Sequence, residues 1–177
     1  MNKSIRIGGA SGFWGDSYRA TEQLIQDTTL DFIVYDYLAE ITMSIMARAR
    51  AKSPSAGYAT DFIDAVIKPY IKRISTHNTR LISNAGGVNP EKCAEVISEL
   101  VKDLQLNLNV SCITGDDLMG SAQEIKNMNC KEMFSDIKFP ELDKVASMNA
   151  YLGAFAISKA LDKGCLLYTS DAADEDL

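Results

Sequence analysis

Four short, mostly apolar β-forming runs each break off into a glycine-rich or polar turn and are each followed by an amphipathic stretch. That alternation admits few folds. The runs are residues 5–9, 30–36, 79–84 and 108–113. The second, Leu-Asp-Phe-Ile-Val-Tyr-Asp, is too apolar for a strand with one wet face, as expected of a parallel sheet covered on both sides. Helices are expected over residues 17–26, 38–51, 60–75, 90–104 and 145–163. In the fourth, Val96, Leu100, Val101 and Leu104 make one apolar stripe. Asn89 before Pro90 reads as its N-cap, since Pro at the first helical position loses no bond. Pro69 should kink or divide the third helix. Residues 120–141 carry little periodicity and read as loop. The class is α/β: a mostly parallel sheet with flanking helices, Rossmann-like in three layers, with a barrel-like arrangement of a longer domain left open.

At 177 residues and 46% apolar side chains, the chain is sized for one domain. Its formal charge is −6, but four of the 24 acidic residues (Asp171, Asp174, Glu175, Asp176) crowd the last seven positions. Residues 1–164 therefore carry 18 basic and 20 acidic side chains, with no basic stripe to neutralise a phosphate backbone. Nucleic acid is a poor partner. Nothing near the start resembles a secretion signal, and the longest apolar stretch, residues 150–157, is interrupted by Gly153 and far shorter than the roughly 20 residues of a membrane span. A soluble, cytoplasmic protein without a membrane partner is expected. Cys93, Cys112, Cys130 and Cys165 form no C-x-x-C pair, and His77 is the only histidine, so a structural zinc site is disfavoured. Cys93, Cys112 and Cys130 read as small packing residues, and His77 as a loop residue on the side away from the turns.

The last predicted helix ends in a glycine stop at Gly164, after which an α/β chain should enter another buried strand. Residues 165–175 instead resemble one reading frame of the mosaic-end adaptor of shotgun sequencing libraries, as if a metagenomic fragment ran into adaptor. The expected division is an incomplete α/β domain over residues 1–164 and a non-native, disordered tail over 165–177. An exposed sheet edge and loose packing would follow.

Four turns can carry chemistry. In the first, Gly9, Ser11, Gly12 and Asp16 follow strand one; glycines allow close backbone approach and a helix start supplies amides, so an anion could be held, although no standard phosphate motif is present. A structural tight turn explains the same residues about as well. In the second, Asp36 and Glu40 stand four residues apart, a spacing open to acid/base work or shared metal binding, although capping by Asp36 and a solvated Glu40 is the simpler reading of an isolated pair. The third places Asn84, Gly86, Gly87 and Asn89 between strand and helix, where a backbone is brought near something. The fourth offers Asp116 and Asp117 as a base, as metal ligands, or as a turn and N-cap. All lie beyond the carboxyl ends of strands, where open parallel sheets bind ligands. The expected catalytic candidates are Asp36, Glu40, Asp116 and Asp117. The ligand-binding candidates are Gly9, Ser11, Gly12, Asp16, Asn84, Gly86, Gly87 and Asn89. No metal site is assigned and no cofactor is identified.

Taken together, Ile7-Gly8-Gly9-Ala10-Ser11-Gly12-Phe13-Trp14-Gly15-Asp16, Asp36-Tyr37-Leu38-Ala39-Glu40, Asn84-Ala85-Gly86-Gly87-Val88-Asn89-Pro90 and Gly115-Asp116-Asp117-Leu118 resemble the acyclic terpene utilisation family over residues 5–164. Ala10 stands where that family often has glycine. The resemblance implies a bacterial cytoplasmic protein of citronellol or geraniol breakdown through branched acyl-CoA intermediates. It implies a small-molecule substrate, possibly an acyl-CoA, and a homo-oligomer or an acyl-CoA enzyme as partner. A non-catalytic binding or scaffold subunit of an acyl-CoA complex is the alternative. No motif residue acquires a catalytic role from the resemblance.

Overall fold

The computed structural model describes residues 4–27, 29–165 and 167–169. Strands β1 (Ile7–Ser11), β2 (Phe32–Tyr35) and β3 (Arg80–Ser83) lie parallel and in chain order. With β4 (Val110–Cys112) and β5 (Leu167–Thr169) they form one open parallel sheet of order β1-β2-β3-β5-β4. In this chain the sheet is not closed: β1 and β4 are its edges.

The main core lies on one face. There Ile33, Tyr35 and Leu81 meet Phe62, Ile67, Ile71 and Ile74 of the chain between β2 and β3. Helix α4 (Pro90–Asp103) adds Cys93, Ile97 and Val101, spaced at helical turns, with Val96, Leu100 and Leu104 packed at their side. Alternation along β3 sends the next residue, Ile82, to the opposite face, where it joins a second cluster with Ile113, Cys165 and Ala156, Ile157 and Leu161 of α6 (Phe155–Asp162). The layering follows from the strand order, because the connection from β4 returns toward β3 and a right-handed crossover then puts its helix on the other side.

Several expectations need correction. Helix α1 is only Ala20–Leu24, because Gly15 at φ 88° and the hydrogen bond from the Gly12 amide to Asp16 Oδ2 hold residues 12–19 as loop. Helix α2 (Glu40–Lys52) forms as expected. The third helix is divided at its proline: a π-helical turn, Phe62–Ile67, precedes α3 (Lys68–His77), and the wider turn accommodates the missing amide of Pro69. Asn89 does not cap α4 through its side chain; its Nδ2 donates instead to the carbonyls of Pro54 (3.0 Å) and Ala56 (2.8 Å). The span expected to be helical over residues 145–163 begins irregularly, with Gly153 at φ 69°, and only α6 forms. Between β4 and α6 lie a short helix α5 (Ala122–Asn127) and two 3-10 turns, Met119–Ser121 and Leu142–Lys144.

The absence of a strand after Gly164 is also corrected. Residues Leu167–Thr169 take the interior slot between β3 and β4. Leu-Tyr-Thr has good β propensity, and Gly164 at φ 77° turns the chain back from α6 toward the sheet. Residue 166 and the acidic residues 170–177 lie outside the described residues. Cys93 and Cys165 are buried, whereas Cys112 and Cys130 are exposed rather than packed; Cys112 sits on the edge strand and Cys130 just beyond α5.

Burial raises the Cys93 thiol from its ordinary value near 9 to about 12, and burial also pushes the hydroxyls of Tyr35 and Tyr37 upward. Above pH 9 the unfolded chain therefore releases protons that the native chain still holds, so stability falls as pH climbs from about 9 toward 12. The urea midpoint is expected to be lower at pH ~10.5 than at pH ~8. An unchanged midpoint would show that these groups are not desolvated.

Candidate functional site

Gly8 and Ala10 of β1 are buried and Gly9 is exposed, and the strand's register shifts between Gly9 and Ser11. This bulge delivers Ser11 beside the end of β2. The Ser11 hydroxyl donates to the Asp36 carbonyl (3.3 Å), while the Asp36 amide donates to the Ser11 carbonyl (3.3 Å). Asn84, just beyond β3, ties onto the end of β2: its Nδ2 donates to Asp36 Oδ1 at 2.7 Å and its Oδ1 accepts from the Tyr37 amide at 2.6 Å. The ends of three parallel strands are thus joined in series, β1 to β2 through Ser11 and Asp36, and β3 to β2 through the Asn84 side chain. Asp36 is joined to Asn84 rather than to Glu40, which is exposed in the first turn of α2.

The third turn lies inward. Gly86, Gly87 and Asn89 are buried, and the amides of Gly87, Val88 and Asn89 donate to Asn84, Gly57 and Gly86 carbonyls. Met46 of α2 and the Gly57 carbonyl pack against Gly87, and the Pro54 and Ala56 carbonyls accept from Asn89, so this turn is packed against α2 and the loop that follows it. The Gly12 amide of the first turn is likewise occupied, by Asp16.

The fourth turn meets α2. Asp116 is 1% exposed and accepts from Asn149 Nδ2 at 2.6 Å. Asp117 is exposed; its Oδ1 accepts from the Met119 amide at 2.9 Å, which caps the following 3-10 turn, and its Oδ2 lies 3.8 Å from the Arg50 guanidinium. Arg50 also donates to the Val88 carbonyl. Around this pair opens a cleft of about 290 Å³, walled by Ala47, Ala51, Val88 and Met119, with Asn149 on the far side. The size is near the lower end for small-molecule sites, which run from roughly 300 to 1,000 Å³. Ala47, one turn before Arg50 on α2, and Ala51, its neighbour, leave it room.

A smaller hollow of about 10 Å³ lies by the first turn, between Asp16, Ser17, Tyr18, Tyr37 and Asp61. A third hollow, at the amino ends of the strands, is lined by Ile5, Phe32, Arg80 and His77, whose Nδ1 is buried without a partner among the described residues. His77 closes α3, so it is a helix residue rather than a loop one.

Sequence reading alone missed Arg50, Tyr37, Asp61, Trp14 and Asn149. The only local signal was the Ala47–Arg50–Ala51 pattern of small residues flanking a cation. Among the described residues no group of three or more His, Cys, Asp or Glu side chains is placed to hold a metal. Nor is any helix long and apolar enough to cross a membrane. A family model described as "Acyclic terpene utilisation family protein AtuA" matches residues 5–167. No curated protein and no solved structure matches the chain.

Proposed function

Since the chain belongs to the acyclic terpene utilisation family, we propose that it handles a branched intermediate of citronellol- or geraniol-type catabolism, carried as an acyl-CoA, in the Arg50–Asp117 cleft. One observation carries this reading: a guanidinium–carboxylate pair lines a cleft together with the apolar side chains of Ala47, Ala51, Val88, Met119 and Ala146. The walls suit a methyl-branched chain, which gains by leaving water. Arg50 is partly exposed, 3.8 Å from Asp117, and anchored through one nitrogen to the Val88 carbonyl, which leaves its other donors for a carbonyl or anionic head group. Asp117 then orients Arg50, and the Asn149–Asp116 bond braces the opposite wall. The cleft is too small for a whole coenzyme, so the nucleotide part stays outside.

Calorimetry with a geranyl-type branched acyl-CoA and with free coenzyme A tests this. The branched thioester is expected to bind and free coenzyme A to bind much more weakly. Arg50→Leu is expected to weaken binding by about tenfold or more, the worth of a charge-assisted hydrogen bond. No heat with any branched acyl-CoA, or equal affinity for both ligands, would sink the proposal.

One observation favours a second reading, a scaffold subunit. Met128, Met133, Phe134 and Ile137 are all exposed within ten residues of one segment, in which Glu132 accepts from the Phe134 amide, its own amide donates to the Ile137 carbonyl, and Lys126 pairs with Glu141. Exposed apolar side chains gathered in a patch mark protein contacts. Co-purification with an acyl-CoA enzyme that is lost in Phe134→Ser would favour it.

A further inference from the structure

Beside the first turn, which the terpenoid reading does not use, stands a group without a function. Tyr37 is 6% exposed, its ring packed edge-on against Tyr35 and Phe62. Its hydroxyl makes no hydrogen bond among the described residues, yet it faces the 10 Å³ hollow that Asp16, Ser17, Tyr18 and Asp61 complete. That volume holds about one water or one small ion. The two carboxylates are each held from behind. Asp16 Oδ2 accepts from the Gly12 amide at 2.9 Å, and Asp61 Oδ1 accepts from the Trp14 indole nitrogen at 2.6 Å. In each, the second oxygen carries no hydrogen bond among the described residues, and neither acid has an ion-pair partner there. Donors that fix one carboxylate oxygen and leave the other available are the arrangement that supports metal-binding carboxylates.

We propose that Asp16, Asp61 and the Tyr37 hydroxyl form a binding site for a hydrated divalent cation of the magnesium type. The donor set is all oxygen, which selects hard cations over zinc or copper. Two carboxylates suffice for Mg²⁺, which keeps several of its waters, and the exposed Asp16, Ser17 and Tyr18 leave the outer side open to them. The cation supplies the opposite charge that both acids lack, and its inner-sphere water or the ion itself supplies the partner that the Tyr37 hydroxyl lacks. The site is separate from the Arg50 cleft and stands or falls independently of the acyl-CoA reading.

Trp14 is the only tryptophan of the chain and is bonded directly to Asp61, so its emission reports the site. Full-length protein stripped with a chelator should show a saturable emission change on titration with Mg²⁺, and quenching with the paramagnetic Mn²⁺, at concentrations on the order of 1 mM or below. Asp16→Asn, at an exposed position, and Tyr37→Phe, which keeps the packed ring, should each weaken the response by about tenfold or more while circular dichroism stays native. A chain that shows no saturable response to either cation overturns the proposal. So does a response that Asp16→Asn or Tyr37→Phe leaves within twofold of the parent, which would assign the hollow to a structural water.

Discussion

Replacing Gly87 with alanine is expected to cost the chain about 3 kcal/mol or more. Gly87 sits at φ 52°, where a side chain adds about 1–2 kcal/mol of backbone strain. The added Cβ would fall on Met46 Sδ and within 2.8 Å of the Gly57 carbonyl. Met46 can rotate away, but the Gly57 carbonyl is held by the Val88 amide at 2.9 Å and cannot retreat without unpairing it. Overpacking of this kind typically adds about 1–3 kcal/mol. Denaturant unfolding of Gly87→Ala measures the sum, and Met46→Ala in the same background should recover only the side-chain part. A loss below about 1 kcal/mol would mean that the turn yields as a unit and that α2 is not pinned to it.

Phe62→Ala is expected to lose about 3–5 kcal/mol. Phe62 is fully buried in the first position of the π-helical turn, its ring centroid 5.3 Å from that of Tyr35 and 5.9 Å from that of Tyr37. Truncation removes one ring from a three-ring edge-to-face cluster and leaves a hole under β2 that neighbouring helices, fixed by the sheet, fill only in part. Phe62→Leu should lose markedly less because it keeps most of the volume. If the two substitutions unfold at the same denaturant concentration, the ring geometry matters and the volume does not.

The sheet was readable because its information is local. Residues 30–36 and 79–84 are apolar runs bounded by turn formers, and their burial follows from what they are made of. The place of the strand-end turns at one edge followed from parallel topology alone. Pro69 announced the break in the third helix, although not that a π turn would absorb it. The site was legible in part only, because its contacts join distant positions. Asp117 could be noticed as an acid after a strand, but its partner Arg50 looks like any solvated helix cation, and Asn149 fell in a span with a helical pattern. At Gly87 the close approach that the double glycine signals is met from inside the protein, by the Gly57 carbonyl and the Met46 side chain. β5 was missed because its composition was taken as foreign, whereas an interior slot between two strands accepts any short β-prone segment delivered at the right distance.

β5 is the last strand of the chain, yet it takes an interior place, parallel to β3 on one side and to β4 on the other. The two sides of the cleft are attached to the strands it separates: Arg50 and Val88 come from the segments on either side of β3, and Asp117 and Asn149 from the segments that follow β4. The spacing of β3 and β4, and with it the width of the cleft, is therefore set by the strand inserted between them.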